Sequence, residues 1–266
     1  MNISTTARGR LGNAIFRYLA STLYCILYKA RKVKSQNSYI QISDDDFIQW
    51  KNQVELGNIP TLNTNNYNFN YYYQHDSIYI KYLSEIKEYI RLHPYEELRT
   101  VPMTDGETIV YSNQLLEHST IRKYDTVIHI RLEDFITYDL VSHPMYLKEL
   151  LVKNNIKTAC IVVNKITNEL EQKYINYLKQ YCDITIESND IITDYHIMRN
   201  AKTLVCSNST LSWAAALLSE TVTTVYMPNY PTRCIHETFR NPIKNTIAYD
   251  FKRCSKAELE TFLKDY

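Results

Sequence analysis

Glycine is scarce in this chain: 4 among 266 residues, at Gly9, Gly12, Gly57 and Gly106, and none after Gly106. That scarcity excludes two common nucleotide sites. Neither a GxGxxG dinucleotide fingerprint nor a GxxxxGK[ST] phosphate loop occurs, and both need glycine where backbone approaches phosphate. Dehydrogenase and P-loop NTPase readings therefore lose their warrant. Paired cysteines are lacking as well. The six cysteines (Cys25, Cys160, Cys182, Cys206, Cys234 and Cys254) include no CxxC pair, and several lie in apolar runs such as "TACIVV" and "TLVCSN". They read as reduced core residues, neither a disulfide framework nor a zinc site, which favours a cytoplasmic setting. His143, His196 and His236 have no ligand spacing, so no metal site is expected.

No charge of one sign prevails. The balance of 30 Lys+Arg against 29 Asp+Glu leaves no global field to attract nucleic acid or an anionic membrane. The opening "MNISTTARGRLGN" lacks the basic and apolar regions of a signal peptide. The run from Ala14 to Ala30 contains Arg17 and Lys29 and falls short of the ~20 apolar residues a membrane span needs, so it reads as a buried or amphipathic helix.

What the chain does hold is 45% hydrophobic residues, enough for a sizeable core, in an alternating pattern. Residues 2–7 read as a short strand, "RGRLGN" as a tight loop, and about 14–30 as a long helix. The scarcity of glycine marks Gly9 and Gly12 as positions of positive φ or close backbone approach. The Asn- and Tyr-rich segment 57–77 reads as a loop. Strands are expected at 108–112, 126–131, 158–164, 183–187, 203–206 and 222–227, with helices near 144–153, 167–181, 191–200 and 210–218. Ser255-x-x-Glu258 is a capping box that starts a C-terminal helix. Such alternation implies parallel βαβ units in an open doubly wound sheet, hence an α/β protein. A softer boundary near 105–120 gives a smaller N-terminal domain, 1–115, and a Rossmann-like domain, 116–266.

Two clusters carry chemistry. "VIHIRLEDF" (Val127 to Phe135) places His129, Arg131, Glu133 and Asp134 at the end of an apolar strand, where ligands of open parallel sheets bind. Folding does not ask for these residues. A salt-bridged surface turn would also contain them, but His129 and Arg131 fall on one face of the strand. The second cluster, Ser207-Asn208-Ser209-Thr210, separates a strand from a helix. Simple N-capping accounts for one or two of its members; an anion site made of hydroxyls and free helix N–H groups uses them all. Together the clusters imply a phosphate-bearing ligand.

At these residues the chain resembles a known family. "GRLGNAIFRYLAS" (Gly9 to Ser21), "VIHIRLEDF" and "DYHIMRNAKTLVCSNSTLSWAAALL" (Asp194 to Leu218) are similar to the three motif regions of the α1,2-, α1,6- and protein O-fucosyltransferases, most of all the bacterial-type α1,2 enzymes. The resemblance implies a GT-B-like, metal-independent, inverting glycosyltransferase whose typical donor is GDP-fucose and whose acceptor is a glycan hydroxyl. By similarity, Arg131 meets the donor's β-phosphate and His129 lies beside the nucleotide. Gly12, Asn13 and Arg10 belong to the N-terminal donor loop, Ser209 and Thr210 face the diphosphate, and Asp194 contacts the base. The physics agrees in kind: without a metal, the charge growing on a departing nucleoside diphosphate is met by a bidentate arginine and a helix N-terminus. The acceptor hydroxyl calls for a general base. Asp139, ten residues after His129, is the first candidate, with Glu133 and Asp134 as rivals; a loop-surface acid is the plainer reading of Asp139.

The chain departs from the family's motif at four positions. Leu132 stands where the family has a second arginine and Glu133 where it has glycine, a local change of two charge units beside the diphosphate. Ala14 and Ala214 replace a glutamine and a second tryptophan. These changes keep two other readings open: a UDP-sugar donor such as UDP-xylose, or a glycan- or nucleotide-binding protein without turnover. Asp44-Asp45-Asp46 reads as a turn or helix cap and not as a metal-binding DxD. Tyr71, Tyr72 and Tyr73 offer faces for an acceptor sugar or, more plainly, loop packing.

Overall fold

The computed structural model describes residues 1–33, 39–63, 66–101, 108–117, 122–229 and 245–266. Gly106, Cys234 and His236 lie outside them. The chain divides between residues 117 and 122 into two compact units.

The N-terminal unit is built on a four-stranded, all-parallel sheet. Its strands are β1 (Asn2–Thr5), β2 (Arg31–Lys32), β3 (Ile40–Ile42) and β4 (Asn66–Phe69), in the order β2-β1-β4-β3. Helix α1 (Leu11–Tyr28) follows β1, α2 (Asp44–Glu55) follows β3, and α3 (Asp76–Lys81) and α4 (Leu83–Leu92) precede an antiparallel hairpin of β5 (Glu97–Thr100) and β6 (Thr108–Tyr111). Helix α1 starts three residues earlier than its apolar pattern indicates, so Gly12 and Asn13 form its first turn and not a loop. Gly9 alone of the pair has positive φ, +68°, and a Cβ there would lie 3.2 Å from the Asn13 side chain. The acidic triplet is the first turn of α2, with Ser43 and Asp46 closing a capping box. Strand β4 corrects the loop expected at 57–77. It is polar in composition because Asn68 is buried in a hydrogen-bonded network, accepting from Ser4 and donating to Thr6 and Gln41.

The C-terminal unit carries the larger sheet: β7 (Thr126–Ile130), β9 (Thr158–Val163), β10 (Asp183–Glu187), β11 (Thr203–Val205), β12 (Thr224–Asn229) and β13 (Asn245–Asp250). A small antiparallel ladder of β8 (Val141–Ser142) and β14 (Arg253–Cys254) stands beside it. All six strands of the main sheet run parallel, in the order β10-β9-β7-β11-β12-β13. Counted in chain order this is 3-2-1-4-5-6, the arrangement of the Rossmann fold. Central strands buried on both faces read as apolar runs, as "TACIVV" does in β9.

Local sequence signals start the helices of this unit. These are α5 (Glu133–Thr137), α6 (Pro144–Lys153), α7 (Glu169–Lys179), α8 (Ile191–Arg199), α9 (Thr210–Leu218) and α10 (Lys256–Phe262). Pro144 occupies the first turn of α6, Asn168 accepts the Glu171 N–H, Asp190 accepts from Ile192 and Thr193, and Ser255 with Glu258 caps α10. Helix α9 is apolar nearly all round, and Ser212 to Leu218 are buried without exception. One core cluster joins Ile128, Ile130 and Leu132 to Leu147, Leu150, Tyr174 and Leu259 of α6, α7 and α10. Two parallel α/β units in one chain, the second Rossmann-like, make the α/β, GT-B-like class expected from the sequence. The five described cysteines are buried thiols, and none of them forms a disulfide among the described residues.

Candidate functional site

In the order 3-2-1-4-5-6, connections leave β7 toward β9 on one side and β11 toward β12 on the other. Between those two strands the chain reverses its winding, which opens a crevice at their carboxyl ends. His129, the penultimate residue of β7, and Ser207, two residues beyond β11, meet there: Ser207 Oγ lies 2.8 Å from His129 Nδ1. Both are buried. Burial, and then the charge of Arg131, hold the His129 imidazolium down to a pKa of about 3, so the ring is neutral at physiological pH. A neutral imidazole has one donor and one acceptor nitrogen, and the direction of the bond between Ser207 Oγ and Nδ1 follows from which of them carries the proton.

Arg131 follows at the mouth of β7. Its Nε and Nη2 donate to the two carboxylate oxygens of Asp134, at 3.0 and 2.7 Å, and its guanidinium carbon lies 4.3 Å from the centre of the Phe135 ring. Nη1 donates no hydrogen bond among the described residues. The salt-bridged turn and the anion-binding arginine are thus compatible: Asp134 holds two nitrogens of the guanidinium, and the third is left for a ligand.

The end of β7 places Leu132 in the core. Ile128, Ile130 and Leu132 fall on one face and enter the core, and Leu132 is fully buried with its N–H donating to Asn164 at 3.1 Å. An arginine at 132 would enter that core, so the missing second charge follows from this packing. Glu133 has φ +27°, in the left-handed region that favours glycine. Its side chain lines a separate open pocket of about 520 Å³ with Lys173, Lys256 and Lys264, and is absent from the crevice lining.

The second cluster is positioned by buried bonds. The Trp213 indole donates to the Ser207 carbonyl at 3.2 Å, Asn208 Nδ2 donates to the Leu140 carbonyl at 3.1 Å, and Ser212 Oγ donates to the Ser209 carbonyl at 3.0 Å. Ser209 is the N-cap of α9 yet makes no side-chain cap bond, so capping is not what its hydroxyl does. Thr210 is the first residue of the helix.

The crevice itself has a free volume of about 10 Å³ and is bordered by His129, Arg131, Ser142, Ser207, Asn208 and Tyr249. Ser142 was not legible as a site residue; a serine in a two-residue strand carries no sequence signal. Asp139 does not border the crevice. It is exposed, with φ +55°, and its Oδ1 accepts the Lys256 N–H at 3.0 Å at the start of α10. Asp194, in the first turn of α8, accepts from the backbone and side-chain N–H groups of Asn189, both at 3.1 Å, and burial raises its pKa. Arg10, Gly12 and Asn13 belong to the N-terminal unit, Arg10 as the N-cap of α1 and Asn13 accepting from Gln74 at 3.1 Å. There, Tyr73 is a buried core residue, while Tyr71 and Tyr72 are exposed and the Arg8 guanidinium stands 5.7 Å over the Tyr72 ring.

Among the described residues no three His, Cys, Asp or Glu side chains gather as metal ligands, and no helix is long and apolar enough to cross a membrane. No protein-family model and no curated protein matches the sequence. Among solved structures the fold is similar to E. coli heptosyltransferase WaaC with ADP, at TM-score 0.43 and 10% identity over 100% of this chain and 99% of that one. It is similar to POFUT1 in complex with GDP, at TM-score 0.41 and 10% identity over 84% and 96% of the two chains. It is also similar to E. coli ADP-heptose lps heptosyltransferase II, at TM-score 0.39 and 11% identity over 93% and 90%. Likeness at this level is a likeness of fold alone.

Proposed function

We propose that this protein is an inverting glycosyltransferase that moves a sugar from a nucleoside-diphosphate donor to a hydroxyl of a glycan, without a metal ion. The observation that carries the reading is the His129–Ser207 bond at the switch point of a 3-2-1-4-5-6 sheet, with Arg131 beside it. The acceptor oxygen forms a bond to the anomeric carbon as the bond from that carbon to the β-phosphate oxygen breaks. The electron pair leaves on the phosphate, and the acceptor's proton passes to a carboxylate. Arg131 and the neutral donors around the crevice meet the growing phosphate charge. Asp139 is the first assignment for the base, with Glu133 and Asp134 as rivals; conversion of each to its amide, read as kcat, decides among them.

L-Fucose from GDP-fucose is the first donor, on the strength of the three motifs. A UDP-sugar such as UDP-xylose is the second, favoured by Leu132 and Glu133 standing where the motif has arginine and glycine. The test is release of free nucleotide from GDP-fucose, GDP-mannose, UDP-xylose, UDP-glucose and UDP-galactose, with EDTA present, by wild type and Arg131→Ala. Turnover of one donor, lost in the variant, supports the reading and names the donor. Nucleotide binding without turnover of any donor supports the binding-protein alternative.

A further inference from the structure

We infer that the N-terminal unit carries a subsite for an acidic sugar of the glycan acceptor, formed by the Arg8 guanidinium and the exposed rings of Tyr71 and Tyr72. The place is the carboxyl edge of the all-parallel sheet, where β1 and β4 are neighbours. Arg8 stands three residues beyond β1, and Tyr71 and Tyr72 stand two and three residues beyond β4. Open α/β sheets bind ligands in the loops at such carboxyl ends. The inference rests on the glycosyltransferase reading above and names the chemical class of its acceptor.

A buried arginine holds the two loops together. Arg17 of α1 is 1% exposed; its Nη2 donates to the Arg8 carbonyl, and its Nη1 donates to the Tyr71 carbonyl at 3.4 Å. The Thr6 N–H donates to the Phe69 carbonyl and the Val101 N–H to the Gly9 carbonyl, both at 3.0 Å. The Tyr73 hydroxyl accepts from the Asn70 and Tyr71 N–H groups at 3.2 and 3.3 Å. The backbone beneath Arg8 and the two tyrosines is thereby preorganised, and little further ordering is needed on binding.

Charge selects the ligand. Burial above all, and then the charge of Arg8, lower the Arg17 pKa to about 10, so Arg17 stays cationic at physiological pH. Among the described residues neither Arg8 nor Arg17 forms an ion pair with a carboxylate. Buried cations are ordinarily paired, and here two arginines share one sheet edge without an acid from the described chain. The exposed Arg8 guanidinium stands 5.7 Å over the Tyr72 ring, and Tyr71 and Tyr72 are 37% and 39% exposed. Such rings take the C–H side of a pyranose, and the guanidinium takes a carboxylate or phosphate carried on it. A neutral sugar would leave the charge unmet.

The test titrates glucuronic acid, glucose 6-phosphate and neutral glucose into wild type, Arg8→Gln and Tyr72→Leu by ligand-observed NMR. Glucose reports the stacking alone, and the two acids distinguish a carboxylate from a phosphate. Wild type is expected to bind at least one acid about tenfold tighter than glucose. Arg8→Gln should remove that preference while leaving the affinity for glucose unmoved, which a misfolded variant would not do. Tyr72→Leu should weaken all three sugars about threefold or more. The inference is overturned if no acid outbinds glucose, if Arg8→Gln keeps the preference or loses glucose as well, or if Tyr72→Leu leaves the affinities unmoved. Acidic sugars bound through Arg8 without turnover of any nucleotide sugar would leave the subsite standing and defeat the transferase reading. Transfer to neutral glycans alone would do the reverse.

Discussion

Acid should destabilise this protein through His129, and the size of the effect can be worked from the structure. The imidazole is buried in the switch-point crevice, with a pKa of about 3 against 6.5 for the free side chain. Above pH 6.5 the ring is neutral in folded and unfolded chains alike, and it contributes no pH dependence. Below 6.5 the unfolded chain takes up a proton that the folded one refuses, so stability falls as pH falls, at about 1.4 kcal/mol per pH unit, until the ring protonates near pH 3. Between pH 7.5 and 5 the loss is about 2 kcal/mol. His196, held down to about 4 by burial and then by Arg199, acts in the same direction, so the measurement must be a difference. Urea unfolding of wild type and His129→Gln at pH 7.5, 6.5, 5.5 and 5.0 isolates the term. Wild type should lose about 2 kcal/mol more than the variant between the two ends of the series. Equal losses would refute a buried neutral His129.

Other substitutions follow from the same geometry. Glu133→Gly relieves φ +27° and should raise the unfolding free energy by about 0–1.5 kcal/mol, since a left-handed non-glycine residue costs about 1–2 kcal/mol and glycine's extra chain entropy about 0.5–1 kcal/mol. Leu132→Arg should cost about 3–5 kcal/mol in chemical denaturation, because position 132 faces the core and leaves the charge buried and unpaired. Trp213→Phe removes the donor to the Ser207 carbonyl and should cost about 1–3 kcal/mol, with loosened nucleotide affinity read by calorimetry.

The C-terminal unit was largely legible in the sequence because its signals are local. Its inner strands are β-branched apolar runs and the Ser255–Glu258 box marks a helix start that the structure reproduces, whereas the edge strand β13, largely exposed, carried no such signal. The N-terminal unit was less so. Strand β4 is stabilised by side-chain hydrogen bonds of Asn68, which hydrophobic periodicity does not register, and α1 begins across Gly12 and Asn13, two poor helix formers tolerated in a buried first turn. At the site, the two polar clusters could be seen at strand ends, but their meeting depends on β11 lying beside β7. That strand order is set by tertiary packing, not by alternation of elements. Ser142 came from the β8–β14 ladder, whose partners are more than a hundred residues apart.

The proposed transfer requires that the carboxyl-end crevice of the larger sheet bind a nucleoside diphosphate through Arg131. Thermal unfolding of wild type and Arg131→Ala with GDP, UDP and ADP measures that binding. A nucleotide at about a hundred times its dissociation constant stabilises the folded state by ~2.7 kcal/mol, so at least one should raise the wild-type midpoint and leave the variant unmoved. Equal shifts in both proteins would contradict the claim.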